Sequence, residues 1–173
     1  MKSLVLISFL TVSVNFLHAQ SDPKWFSETV ETRGTAASIW KVWTDVENWS
    51  SWDTGLQNAS LLEEWGIGAK GILLSSQGRR VKFKIVEYIE GERYTFRIKL
   101  PLASFTVSRF LEANGDLNSL THEVRFKGLL GGLFARSLGK EFREKLPVVV
   151  QNVRKAAEIQ SGLCTSGSHQ ESK

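Results

Sequence analysis

A chain of 173 residues with 42% hydrophobic and 23% charged side chains suits one globular domain with a real core and leaves little room for a second. Its one cysteine, Cys164, excludes an intrachain disulfide, so packing must hold the fold. A net charge of +4 and a pI near 9.3 raise the question of nucleic acid, but the densest basic stretch, GRRVKFK, alternates Lys82 and Lys84 with Val81, Phe83 and Ile85. In a strand that puts the lysines on one solvated face, and with no arginine-rich run no nucleic-acid partner is expected.

Residues 1–19 differ in character from the rest. Lys2 precedes the apolar run LVLISFLTVSV, and Leu17, His18 and Ala19 lead to Gln20, the pattern of a signal peptide. Asn15 interrupts the run, leaving too few apolar residues for the roughly 20 that a membrane-spanning helix needs. The expectation is a cleaved leader over 1–19, a domain over 20–160, a disordered polar tail over 161–173, and an exported protein, periplasmic or extracellular, without an integral membrane span.

Five of the six tryptophans lie between Trp25 and Trp52. A first strand is predicted near Phe26 to Arg33. TAASIWKVWTD then reads as a helix capped by Thr35, with Ile39, Trp40 and Trp43 on its buried face. Asp45 restarts a short helical turn carrying Trp49 and Trp52, and these rings glue the helices to a sheet. Period-two alternation predicts further strands near Ser60 to Trp65, Gly71 to Ser76, Val81 to Ile89, Tyr94 to Leu100, Ser104 to Glu112 and Asn118 to Lys127. Tyr94, Phe96, Ile98 and Leu100 share one face, as do Leu120, His122, Val124 and Phe126, so one side of the sheet is apolar and the other wet. The cover is a helix from about Leu129 to Ile159, with Leu130, Phe134, Leu138, Phe142, Leu146, Val149 and Val153 as its apolar stripe. Pro147 is expected to kink it, and Gly131, Gly132 and Gly139 weaken its first half.

Residues that carry chemistry are scarce. Gly66, Gly68 and Gly71 have the spacing of a dinucleotide fingerprint, but the strand-like ILLSS follows them instead of a helix, so they read as a hairpin turn. His18 lies in the leader and His169 in the tail, leaving His122 as the one histidine of the domain, which excludes a multi-histidine zinc site; neither metal nor cofactor is expected. Cys164, in the tail, is no nucleophile, and no GxSxG elbow occurs. If the last hairpin pairs Leu111 with Leu120, His122 lies opposite Arg109 and both project inward. The guanidinium would then disfavour protonation of the imidazole, and the pair would suit a carboxylate or phenolate on an otherwise apolar ligand. A slip of one residue would send Arg109 outward. Glu87 shares the parity of Val81, Phe83 and Ile85 and is the candidate inward acid, unless a bulge exposes it. Asn48 and Asn58 begin N-glycosylation acceptor patterns.

The segments TDVENWSSWD, GIGAKG, LTHEVRFKG and LPVVVQNVRKAAE are similar to those of the polyketide cyclase/dehydrase and lipid-transport (SRPBCC) family of the START-like superfamily, over about Ser27 to Ile159. The resemblance implies an α+β helix-grip fold: a curved antiparallel sheet around a long C-terminal helix, with two short helices after the first strand. It further implies a small hydrophobic or amphipathic ligand, lipid or polyketide-like, held between sheet and helix. The residues expected to meet it are Trp49, Trp52, Phe83, Glu87, Phe96, Arg109, His122, Val124, Phe142 and Leu146, in a cavity of roughly 300 to 1,000 Å³. Two other readings stay open. One is a cyclase or dehydratase with His122 as general acid/base and Arg109 stabilising an enolate; the other is a protein-interaction module using the sheet edge or the Trp-rich helices.

Overall fold

The computed structural model describes residues 24–163. The leader expected over 1–19, with His18, and the tail residues Cys164 and His169 lie outside them.

The described elements run β1 (Trp25–Thr32), α1 (Ala36–Thr44), a 3-10 helix (Val46–Ser51), β2 (Leu56–Leu61), β3 (Lys70–Ser75), β4 (Arg80–Ile89), β5 (Arg93–Leu100), β6 (Ala103–Asn114), β7 (Leu117–Gly128) and α2 (Gly131–Gln160). The strands form one antiparallel sheet in the order β1-β7-β6-β5-β4-β3-β2. Every step from β2 to β7 is a hairpin between neighbours, as short connections favour. β1 and β2 are the exception, lying on opposite edges with α1 and the 3-10 helix bridging them. This is the expected α+β helix-grip fold, a curled sheet around a long C-terminal helix.

The Trp-rich segment folds for identifiable local reasons. The Thr35 side chain accepts from the Ser38 amide and caps α1. At the other end, the Trp43 carbonyl accepts from both Trp49 Nε1 and the Tyr94 hydroxyl, each at 2.9 Å, and the Thr44 carbonyl accepts from Trp65 Nε1 at 2.8 Å. Aromatic donors thus satisfy carbonyls that a helix C-terminus leaves open. Asp45 begins the 3-10 helix without capping it through its side chain, which accepts from Asn48 Nδ2 instead. Ile39, Trp43 and Trp49 are wholly buried. At about 25 cal/mol per Å² and ~150–250 Å² per ring, each such tryptophan contributes about 4–6 kcal/mol gross.

Two expectations about packing need correction. β2 begins at Leu56 and ends at Leu61, so Trp65 lies in the β2–β3 loop, where Gly66 and Gly68 also sit as read. Gly71, in β3, is pressed against Phe83: a Cβ there would run into the Phe83 ring and stand 2.6 Å from the Ser60 carbonyl oxygen. The second correction concerns the buried face of α2, a helix that carries the exposed Pro147 within its length. Its second half buries Leu146, Val149 and Val153 as predicted, but in the first half the buried positions are Gly131, Ala135 and Gly139, while Phe134, Leu138 and Phe142 are half-buried. Small residues let the helix approach β7 closely: a Cβ on Gly139 would meet the Phe126 ring at 3.3 Å. Leu138 and Phe142 are left to border a void.

Candidate functional site: a buried cation at the end of an apolar cavity

The alternating faces of β3–β7 and the side of α2 carrying Leu138, Phe142, Leu146 and Val149 enclose a cavity of about 290 Å³. Its apolar walls include Phe96, Ile98, Val107 and Val124 from the sheet. Glu141 and Lys145 on α2 line it too, as do Gln77 and Arg79 at the β3–β4 turn. Gln77 Nε2 donates to Glu141 Oε2 at 3.3 Å, tying that turn to α2. Lys145 is ion-paired to Glu141 at 2.7 Å, one helical turn away.

Arg109 and His122 both line this cavity. The β6–β7 hairpin pairs Leu111 with Leu120 and therefore Arg109 with His122, in the expected register and on the inward face. Arg109 is 2% exposed and His122 1%. The guanidinium carbon lies 4.4 Å from the centre of the Trp49 ring, 4.8 Å from Trp52, 5.3 Å from Tyr94 and 5.6 Å from Phe96. Such cation–π contacts offset part of the desolvation of a buried charge. Arg109 Nη1 donates to the Tyr94 hydroxyl, which itself donates to the Trp43 carbonyl. Among the described residues no carboxylate stands at ion-pair distance from Arg109, and its Nε has no hydrogen-bond partner. Buried arginines are normally paired, so this cation is chemically unfinished.

The surrounding ionisable groups respond to burial and to this charge. His122 sits against Trp43 and Trp52, ring centres 5.6 and 6.1 Å away, and its Nε2 is unpartnered. Burial, then the Arg109 charge, push its pKa well below 6.5, so the imidazole is neutral at pH 7. Burial raises the Tyr94 hydroxyl to about 12, against the opposing pull of Arg109. Asp53 also lines the cavity, with Oδ1 accepting from the Gly55 amide at 2.9 Å. Its carboxyl is raised above 3.8 by burial, against that hydrogen bond and the charges of Arg109 and Lys145.

The remaining predicted site residues divide clearly. Trp49, Phe96, Val124, Phe142 and Leu146 line the cavity. Trp52 does not, but backs Arg109 and floors a separate, more open surface groove of about 400 Å³ between α1 and the end of α2. Phe83 packs against Trp49 and Phe96 behind the wall. Glu87 is misplaced by the parity argument: a bulge between Ile85 and Glu87 turns it to the outer face, where it pairs with Arg93 at 2.9 Å and accepts from the Thr95 hydroxyl. Asp53, Tyr94, Glu141 and Lys145 were missed. Alternation marked Tyr94 as inward, and the Asp-x-Gly turn at Asp53–Gly55 was a local signal; nothing in the pattern pointed to Glu141 or Lys145. No cluster of His, Cys, Asp and Glu able to hold a metal occurs among the described residues. No helix among them is long and apolar enough to cross a membrane.

Several solved structures share this architecture at low identity, which speaks to the fold alone. A hypothetical protein of Helicobacter pylori superposes with a TM-score of 0.66 at 9% identity, over 90% of this chain and 99% of its own. The di-domain ARO/CYC protein StfQ of the steffimycin biosynthetic pathway gives 0.66 at 11% identity, over 80% of this chain and 52% of its own. A point mutant of norcoclaurine synthase from Thalictrum, in complex with a transition-state analogue, gives 0.62 at 11% identity, over 79% and 95%. No curated protein sequence matches the chain. The sequence model of one family matches residues 25–158, the whole span of sheet and helices, and the chain therefore belongs to the polyketide cyclase / dehydrase and lipid transport family.

Proposed function

We propose that this protein binds a small amphipathic molecule whose apolar body fills the cavity and whose anionic or enolisable oxygen meets Arg109 and His122. The observation that carries the reading is the Arg109 guanidinium, buried at the end of an apolar void without a carboxylate partner. A ligand carboxylate or phenolate would complete its charge, and the His122 imidazole, which lines the same cavity, adds a directional hydrogen bond. About 290 Å³ sits at the lower end of the usual range for small-molecule sites, so a compact ligand is favoured over a long lipid. Mass spectrometry of molecules extracted from protein purified from its host identifies the occupant. A matched pair of carboxylic acid and primary alcohol then tests the polar end, and equal affinity for the two overturns the assignment. We also infer, from residues 1–19, that the protein works outside the cytoplasm; N-terminal sequencing of that material should begin near Gln20, and an intact Met1 overturns this.

A second reading has its own observation in the neutral, unpartnered imidazole facing the cavity. His122 is in the basic form at pH 7, beside a fixed cation suited to an enolate, as a cyclase or dehydratase step requires. Hydrogen–deuterium exchange at the position next to the carbonyl of a bound ligand, followed by NMR, tests it. Exchange that persists unchanged in His122→Phe removes the histidine from that role.

A further inference from the structure

We propose that the end of the molecule built from the β5–β6 turn and the start of α2 docks onto an anionic lipid bilayer. Leu102, Leu129 and Leu133 are 69%, 84% and 61% exposed, among the most exposed large apolar side chains described. The backbone holds them at one end of the fold. Leu130 donates its amide to the Leu102 carbonyl at 3.3 Å, and Gly128 lies so close to that turn that a Cβ would stand 2.7 Å from the Leu102 oxygen.

Leu102 is also the one described non-glycine residue with a positive φ, 50°. The two-residue turn Pro101–Leu102 joins Leu100 to Ala103, and the second position of such a turn commonly falls to glycine. A leucine there, strained and facing water, serves neither the turn nor the core.

Charge identifies the partner. Residues 94–111 and 124–140 contain no Asp or Glu. Lys99 and Lys127 flank Ser104 across three neighbouring strands on the outer face, and Arg136 lies just beyond Leu133 on α2. All three are exposed, and none is ion-paired among the described residues. Leucines ringed by lysine and arginine match the two layers of a membrane surface, acyl boundary and anionic headgroups. Nucleic acid would leave the leucines unused, and a two-fold dimer through this patch would bring like charges together.

Co-sedimentation with lipid vesicles tests the proposal, using the chain as isolated from its host and no added ligand, so the outcome is independent of the cavity reading. Vesicles with about one-third phosphatidylglycerol should bind at least about tenfold more tightly than pure phosphatidylcholine, and raised salt should weaken that binding. Replacing Lys99 and Lys127 by Gln should lower affinity for the anionic vesicles roughly 30-fold. Replacing Leu102, Leu129 and Leu133 by Ser should lower it at least tenfold, and circular dichroism should show each variant folded as the parent. No vesicle binding, binding indifferent to the leucine replacements, or a patch that pairs two copies in gel filtration while ignoring vesicles overturns the proposal.

Discussion

Replacing Arg109 by Met separates a cation kept for the fold from one kept for a ligand. Methionine retains much of the stem and volume among Trp49, Trp52, Tyr94 and Phe96, and removes the charge. The fold loses cation–π attraction of about 0.5–2 kcal/mol and the charged hydrogen bond to Tyr94, of about 1.5–3 kcal/mol. It also escapes a desolvation penalty of several kcal/mol, which no carboxylate at ion-pair distance offsets here. The net stability change should fall within about 2 kcal/mol of zero, with either sign. Binding of an anionic ligand should fall by about 2–5 kcal/mol, or roughly 30- to several-thousand-fold, because the anion would be buried without its cation. Thermal unfolding and a calorimetric titration with matched carboxylic acid and alcohol read both effects. The acid should lose affinity while the alcohol changes less than about threefold. A stability loss above about 3 kcal/mol, with the preference for the acid intact, would refute the reasoning and make Arg109 a structural residue.

Acid should expose His122. The unfolded imidazole takes up its proton near 6.5 while the folded one resists to well below that, so stability is full above about pH 6.5 and falls as pH drops through it, by about 1.4 kcal/mol per unit. Urea titrations across that range should show this slope in the parent and lose it in His122→Phe; a parent stability flat from pH 7 to 5 would contradict the burial argument. Asp53, with its carboxyl raised, acts in the opposite sense and lower, favouring the fold as pH falls toward 4. Gly71→Ala should destabilise by about 1–3 kcal/mol in chemical denaturation, since its methyl group meets the Phe83 ring and the Ser60 carbonyl. Leu102→Gly should stabilise by about 1 kcal/mol in the same assay by relieving the positive φ, while weakening vesicle binding.

Much of this protein is determined by local rules. Two-residue alternation decides which face each side chain takes, so Tyr94, Phe96, His122 and Val124 point inward wherever the strands settle. The two-residue turn Gly115–Asp116 then locks β6 to β7, and with it Arg109 opposite His122. Thr35 caps α1 because the hydroxyl and the amide it serves are only three residues apart. The tertiary structure decided what depends on distances between remote segments. Whether Glu87 faces in or out rests on a bulge, one extra residue whose position follows from how β4 and β5 twist together, and alternation carries no record of it. The apolar stripe in the first half of α2 does pack against the core, but only half-buried, because the closest approach to β7 falls at Gly131, Ala135 and Gly139, where only small residues fit. Asp53, Glu141 and Lys145 reach the cavity from segments far from Arg109 in the chain. The missing ion-pair partner of Arg109 is a property of the whole fold: Asp53 shares its cavity and feels its charge, yet no described carboxylate comes within ion-pair distance of it.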